Sequence, residues 1–565
     1  MISIRKLRGR LLSLLGRAKR ILSGEETKII TAQFDSDFYA AAYQLSDKSK
    51  HQLVKHYVQK GWRLGFNPSP AFSPQKYLAR YPDVKETGIE PFYHYLKFGA
   101  KEGRQAVPPE IIFRTKSGKV GGVLDLSGKI ESAFYSRETK LLVAAGWCLR
   151  PIGSDVGLNT EAASVKFDDG FSQKRPDVAD PYGAQEAKAG FISLIRANDQ
   201  CNKVFFHITD HLGIRHRLSE STPIEISANP KKASEILFSI PTALTDFSKR
   251  VRLVDEPFLS PLIQKHQSDM LLNSAEFKTV GQPPAAALVD IVIPLYGTLR
   301  HVENQLLHFS QDNWLKDHVS IFYVLDDPAL ADQFRSRVEQ LYRLYRVSFT
   351  CVDGGINRGY SSANNLGASA GSSEYILFMN SDVIPQDPGW LARLIQPLRD
   401  NPGTGAVAPR LTFGDDTIQF AGMESRWHED LQIWINHHVL KGFSVNLDPP
   451  QVRDVQCLTG ACLLLRRADF EYVGGWDTGY LIGDFEDSDL CFKLRQQGLR
   501  MLYVPHVQLT HLERQSMTQI GSNDYRMRVT IFNAVRHQMR WGLPTEDRWS
   551  VLKSGSRKDS LLTTS

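Results

Sequence analysis

Residues 357–383 read NRGYSSANNLGASAGSSEYILFMNSDV. From Gly359 to Ala370 the stretch reads as a helix, and YILFM (375–379) is an unbroken apolar run of strand length. The chain then turns polar at once, in Asn380, Ser381 and Asp382. The same texture extends outward on both sides. VDIVIPL (289–295), VSIFYVL (319–325), VSFTCV (347–352) and GAVAP (405–409) are further apolar runs, with helical stretches around Ala331 to Arg346 and Trp390 to Arg399. Apolar strands alternating with helices predict an open α/β sheet buried on both faces. Ligands of such sheets sit at the carboxyl ends of the strands, so the residues just after each strand carry the chemistry.

Those residues are polar four times over. Pro294, Tyr296 and Gly297 follow the first strand, and Asp326 and Asp327 follow the second. Asp353, Asn357, Gly359, Asn364 and Asn365 follow the third, and Asn380, Ser381 and Asp382 the fourth. An Asp at one strand end is most simply a turn or a helix cap. Four such ends together point to a binding rim. No GxxxxGK[ST] or GxGxxG loop follows a strand, so phosphate has no glycine cradle of the Walker or dinucleotide kind. A carboxylate-held divalent cation is the natural alternative, with Asp382 the best placed ligand.

VDIVIPLYG, VLDDPA, the stretch quoted above, LTGACLLLRRADFEYVGGWDTGY, GDFEDSDLCFKLRQQG and VPHVQLTHLE follow one another over roughly residues 287 to 545. In this order and spacing they resemble family 2 glycosyltransferases with the GT-A fold. The resemblance implies inverting transfer of a sugar from a nucleotide-diphosphate sugar, UDP first among the nucleotides, to an acceptor hydroxyl, assisted by Mg²⁺ or Mn²⁺. It places Pro294 and Tyr296 beside the nucleotide, Asp326 or Asp327 on the base or ribose, and Asn357 and Asn365 in the helix beneath. Asn380-Ser381-Asp382 takes the D-x-D position, with a neutral amide where many members carry the first Asp, so Asp382 is left as the principal carboxylate. His511 matches a late histidine that completes the metal site.

Inverting displacement needs a base opposite the leaving group. By motif position this is Asp487, in the Glu486-Asp487 pair. EDSDL also opens a helix, where acids favour the positive end, a role that suits Asp489 and Glu486. Gly460, Trp476 and Asp477, with Glu486, are expected to shape the acceptor side, and Arg514 to assist the diphosphate. Trp434, His437 and His438 match nothing in the family and take no role.

The rest of the chain is built differently. Phe34, Tyr39, Tyr43, His56, Tyr57, Gly61, Gly65 and Pro70 recur as Phe72, Tyr77, Tyr81, His94, Tyr95, Gly99, Gly103 and Pro108, a repeat of 38 residues. Each unit reads as a short helix, a turn and a second helix ended by Gly, and the two units are expected to pack as one module over 25–110. His56 and His94 suit aromatic packing better than metal ligation. Within 111–280, KLLVAAGWCL, ASVKFDD, GFISLIR, KVFFHITD, IEISA and EILFSIP read as strands of an accessory β-sandwich, with Asp168-Asp169 in a hairpin turn. GQPPAAA (281–287) reads as a linker to the α/β domain, 288–548, and 549–565 as a tail. The fold class is therefore multidomain, ending in a GT-A α/β domain preceded by a β-sandwich and a small helical repeat module.

Composition places the protein in its surroundings. A 565-residue chain suggests three or four domains at roughly 150 residues each. The 42% hydrophobic fraction excludes a disordered chain. Six cysteines without CxxC spacing suggest a reducing compartment and no structural zinc. The net charge of +6 is concentrated in residues 1–24, which hold seven basic side chains and no acid. Apolar residues at helical spacing there predict a basic amphipathic helix on an anionic membrane surface. The expected setting is cytoplasmic, at the inner face of a bacterial membrane, with a glycan or glycolipid acceptor. A catalytically inactive glycan-binding or membrane-attached scaffold is the alternative. The basic excess sits on an apolar-faced arm rather than a basic-aromatic stripe, so nucleic acid is not an expected partner.

Overall fold

The computed structural model describes residues 24–43, 45, 47–69, 72–104, 106, 127–149, 155–160, 163–166, 169–179, 189–198, 202–209, 215–271, 274–512 and 523–544. The basic segment 1–23, Arg514 and the tail lie outside these. The chain forms two compact units, Met1–Glu225 and Ile226–Ser565.

The first unit opens with the repeats. Helices Ser36–Ala42 and Lys50–Gln59 form one unit, and Pro74–Arg80, Pro82–Thr87 and Pro91–His94 the next, the last continuing as a π-helical turn, Tyr95–Gly99. Three of the eight recurring pairs meet in one contact made twice. Tyr39 Oη is hydrogen-bonded to His56 Nδ1 at 2.9 Å, and Tyr77 Oη to His94 Nδ1 at 3.2 Å. Both histidines thus serve the aromatic core. A Cβ on Gly61 or Gly99 would lie 2.1 or 2.2 Å from those hydroxyls, so only glycine fits there.

Two sheets follow. Strands β1 (Ser127–Ser136), β2 (Leu141–Leu149), β5 (Phe171–Gln173), β6 (Gly190–Arg196) and β9 (Ile224–Glu225) form one, in the order β5-β6-β2-β1-β9. Strands β3 (Asp155–Asn159), β4 (Ser164–Lys166), β7 (Val204–Thr209) and β8 (Arg215–Ser221) form the other, in the order β4-β3-β7-β8. Phe191 of the first sheet stacks on Phe206 of the second, with ring centroids 5.3 Å apart, inside a core with Ile130, Leu142 and Leu158. This is a β-sandwich. Asp168 is outside the described residues, and the expected hairpin is corrected: β4 and β5 belong to different sheets, so the chain crosses over there.

The strand reading of EILFSIP is also corrected. Pro230–Phe238 is a helix, with Asn229 as N-cap accepting from Lys232 N–H and Pro230 in its first turn. This helix and Glu256–Leu271 belong to the second unit. They brace it, since Ser234 Oγ is hydrogen-bonded to Tyr525 Oη at 2.8 Å, Arg358 donates to Met270 O at 3.1 Å and Ser362 to Gln267 at 2.5 Å. GQPPAAA joins two strands of one sheet, β10 (Glu276–Val280) and β11 (Val289–Leu295), and is not an interdomain linker.

That sheet has eleven strands. Its path is β10, β13 (Phe349–Asp353), β12 (Val319–Leu325), β11, β14 (Tyr375–Met379), β21 (Cys462–Arg466), β16 (Thr404–Thr412), β22 (Arg500–His511) and β15 (Val383–Pro385). Off this path, β17 (Ile418–Phe420) pairs β16 and β20 (Arg453–Asp454) pairs β22, while β18 (Met423–His428) and β19 (Ile433–His438) form a separate hairpin. Strands β13, β12, β11 and β14 are parallel; β10 and β21 run against their neighbours. Chain order moves outward from β11 through β12 and β13, then returns to β11's other side as β14. This is a topological switch point, and it opens a crevice at the ends of β11 and β14. Helix Tyr360–Ser369 reaches the sheet closely because Gly367 has no side chain; a Cβ would meet Val292 at 2.3 Å. The expected helix near Trp390 is two short ones, Trp390–Leu394 and Gln396–Asp400.

Candidate active site

Around the crevice, Pro294 and Tyr296 close β11. Gly297 N–H donates to Asp327 Oδ2 at 3.1 Å, while Asp327 Oδ1 accepts from Ala329 N–H. Asp326 is buried and accepts from Arg358 N–H at 2.6 Å. Burial pushes its carboxyl up to about 7, against the backbone N–H groups of Arg358 and Gly359. Asn357 accepts from Gly359 N–H at 3.1 Å. Both aspartates therefore tie the rim loops together. Asn365 does the same from the helix: its amide donates to Trp476 O at 2.9 Å and accepts from Trp476 N–H at 3.0 Å. It ties helix Tyr360–Ser369 to the turn at Trp476.

On the β14 side, Asn380 N–H donates to Ala461 O at 2.9 Å, and Gln305 donates to Asn380 O and Val383 O, both at 3.0 Å. The fully buried Gln305 so fixes the turn that holds Ser381 and Asp382. Antiparallel pairing of β15 with β22 sets Val383 opposite His511. This brings His511 Nε2 within 3.1 Å of Asp382 Oδ1. Burial works to raise the Asp382 carboxyl, and the hydrogen bond and charge of His511 outweigh it, so it stays below the usual range. His511 Nδ1 faces Gln419 Oε1 at 2.8 Å. Oε1 only accepts, so Nδ1 carries a hydrogen and Nε2 faces the carboxylate, which it meets either as a proton donor or as a co-ligand of a cation. The pair closes only with a proton or a cation between the two atoms. An oxygen and a nitrogen donor suit a divalent cation that takes its other ligands from phosphate. Among the described residues there is no cluster of three or more His, Cys, Asp or Glu arranged for a metal.

The opposite wall carries Asp487. Its Oδ2 accepts from Gly460 N–H at 3.1 Å and its Oδ1 from Ser488 N–H at 2.8 Å. Burial raises its carboxyl, and these N–H groups restrain the rise. A Cβ on Gly460 would lie 2.9 Å from Tyr360 Oη and 3.3 Å from the Trp476 ring, and Tyr360 Oη donates to Gly460 O at 2.7 Å. Glu486 is buried, with Oε2 unpartnered among the described residues; burial first, then the Asp487 charge, raises its carboxyl well above the usual range. The loop before it holds Ile482, Asp484 and Phe485 at φ 66°, 91° and 76°, a strained backbone for three non-glycine residues. Asn533, in helix Asn523–Trp541, holds that loop by accepting from Leu481 N–H and donating to Leu481 O and Gly483 O.

Three of the expected residues pack against other elements. Trp476 is 2% exposed and packs edge-on to Phe378 and Tyr360, behind Gly460. Asp477 is ion-paired to Arg536 at 2.9 Å and Arg540 at 3.2 Å. Asp489 is wholly buried and accepts from Arg540, Trp541 and Tyr480 at 2.7, 2.9 and 3.2 Å. Both aspartates anchor Asn523–Trp541, and Asp489 also lies in the first turn of helix Glu486–Gln496, the helix-end place expected for it. Trp434 donates to Pro544 O at 2.8 Å, and its neighbour Asn436 to Ser488 Oγ at 3.2 Å, so the β18–β19 hairpin adjoins the start of the Asp487 helix. Sequence reading missed Tyr360, Gln305, Gln419 and Asn436, whose partners are far away along the chain.

Residues 291–474 match the sequence profile of Glycosyl transferase family 2. The O-antigen biosynthesis protein RfbC of Myxococcus xanthus is 31% identical over 162 residues, 28% of this chain and 12% of its own. The N-acetylglucosaminyl-diphospho-decaprenol L-rhamnosyltransferase of Mycobacterium tuberculosis is 27% identical over 296 residues, 49% of this chain and 92% of its own. The solved structure of GalNAc-T7 with UDP, GalNAc and Mn²⁺ aligns at a TM-score of 0.37 and 15% identity, over 47% of this chain and 51% of that one. This chain spans only 18% and 12% of the length of the first curated relatives it matches. Switch point, rim and match together define an α/β transferase domain of the GT-A kind. The protein carries a family 2 glycosyltransferase domain in its second unit.

Proposed function

We propose that this protein is an inverting glycosyltransferase that moves a sugar from a nucleotide-diphosphate sugar to a hydroxyl of a growing surface glycan or lipopolysaccharide. The observation that carries the reading is the Asp382–His511 pair at 3.1 Å, set one strand pair away from the Gly460–Asp487 hydrogen bond. Asp382 and His511 would hold Mg²⁺ or Mn²⁺, which when bound supplies positive charge to the leaving diphosphate. Asp487 takes the proton of the acceptor hydroxyl as its oxygen attacks the anomeric carbon from the face opposite the diphosphate. Two backbone N–H groups aim its carboxylate, and burial makes it a stronger base than a solvated aspartate. The relatives named for O-antigen and decaprenol-linked glycans favour a lipid-linked acceptor, with residues 1–24 meeting the anionic inner leaflet. No helix among the described residues is long and apolar enough to cross a membrane.

A thermal-shift screen of UDP-, GDP- and dTDP-sugars with and without Mn²⁺ tests the donor site. One nucleotide is expected to raise the melting temperature in a Mn²⁺-dependent way, and Asp487→Asn to keep that shift while abolishing transfer. Unchanged transfer by Asp487→Asn removes it as the base. No shift with any nucleotide favours the inactive-scaffold reading.

A further inference from the structure

Helix Arg300–Ser310 starts beside the crevice, a short loop after β11, and buries His301, Val302, Gln305, Leu306 and Phe309. Gln305 pins this face to the Asn380–Val383 turn through its two 3.0 Å hydrogen bonds, and its Oε1 accepts from Tyr323 Oη at 3.4 Å. His301 lies one helical turn earlier on the same face. Side chains on a helix lean toward its N-terminus, so His301 leans toward the rim where β11 and β14 end. It is 4% exposed, and neither ring nitrogen has a hydrogen-bond partner among the described residues. Asp382 is the acidic group whose charge acts on it. The polar groups around it are engaged: the Gln305 amide on the turn, Asp382 on His511, and His511 on Gln419. A buried imidazole with an unspent donor is costly unless a ligand takes it up.

We propose that His301 donates a hydrogen bond to the donor's diphosphate, from the helix side of the Asp382–His511 pair. This rests on the nucleotide-sugar reading above and names a residue for it. It also gives a place to the amide at Asn380. With one carboxylate fewer in the turn, less negative charge opposes the diphosphate, and a neutral imidazole supplies a direct contact in addition to the cation.

The test is calorimetric titration of the full-length protein with UDP, GDP and dTDP, and with the matching monophosphates, in MnCl₂. His301→Ala is expected to weaken the diphosphate that wild type binds by about ten- to a hundredfold, the range of one hydrogen bond to a charged group, and to leave the monophosphate nearly unchanged. His301→Gln keeps a donor at similar reach and is expected to recover part of the loss, which separates a ligand contact from a packing defect. In Mg²⁺, the His301 ring nitrogen resonances should shift on adding the diphosphate. Equal diphosphate affinity in His301→Ala, or equal loss of mono- and diphosphate in both variants, overturns the proposal while the donor site stands. If no nucleoside diphosphate binds the wild type, the nucleotide-sugar reading and this proposal fall together.

Discussion

Gly61→Ala is a one-methyl change whose effect is set by a tyrosine. The new Cβ would lie 2.1 Å from Tyr39 Oη, about 1 Å inside the closest approach that Cβ atoms tolerate. Tyr39 has no room to swing, being fully buried with ring centroids of Phe34, Tyr43 and Tyr57 at 4.9, 4.8 and 5.8 Å. The overlap should break the 2.9 Å bond to His56 and force local repacking. A lost buried hydrogen bond costs about 1–3 kcal/mol and overpacking another 1–3 kcal/mol. Alanine returns about 0.5–1 kcal/mol over glycine within a helical turn, so the net cost is about 1–5 kcal/mol. Tyr39→Phe removes the clashing atom and leaves Cζ at 3.3 Å, so the double variant should lose only about 1 kcal/mol. Native-state hydrogen exchange on peptides from residues 50–64 of the full-length protein measures all three. A coupling of about 1–3 kcal/mol in favour of the double variant is expected. Strict additivity would refute the steric account, and the same cycle at Gly99 and Tyr77 should repeat the result.

Two further outcomes follow from buried acids. Burial pushes the Glu90 carboxyl up to about 7, against hydrogen bonds from Tyr57, Tyr93 and Phe92. The folded state thus holds this proton more tightly than the unfolded chain, so its contribution is complete below about pH 4.5 and lost as pH rises through about 7, worth about 3 kcal/mol. Pulse proteolysis should find cleavage within residues 24–104 markedly faster at pH 8 than at pH 5.5; equal rates would contradict it. Asp489→Asn leaves Arg540 and Lys493 without their buried partner, a loss of about 3–5 kcal/mol. Exchange should rise across Asn523–Trp541 while β11 to β14 stay protected.

The sheet was legible because β11, β12 and β14 are buried on both faces, which leaves runs that are apolar apart from Asp290 and Ser320 near their starts. The rim was legible because chain polarity changes abruptly where each strand leaves the core. EILFSIP was not, since a short apolar run fits strand and helix alike. The available signal was Asn229-Pro230, a cap followed by proline in the first turn. Asp477 and Asn365 were assigned by motif position and Asp489 as a helix-end charge; the partners of the two aspartates come from a helix remote in sequence, and that of Asn365 from the turn at Trp476. His511 could be matched by motif, but Gln419, which sets its tautomer, has no local pattern at all.

The strained backbone at Ile482, Asp484 and Phe485 is held by Asn533. Asp382, Gly460, Asp487 and His511 all precede that asparagine in the chain, so during synthesis the sheet, the rim and the Asp382–His511 strands can all form before it emerges. The loop that presents Asp487 would then be the step that completes the enzyme. A chain cut short of residue 533 would keep the rim and the paired strands β15 and β22 and lose the hold on that loop.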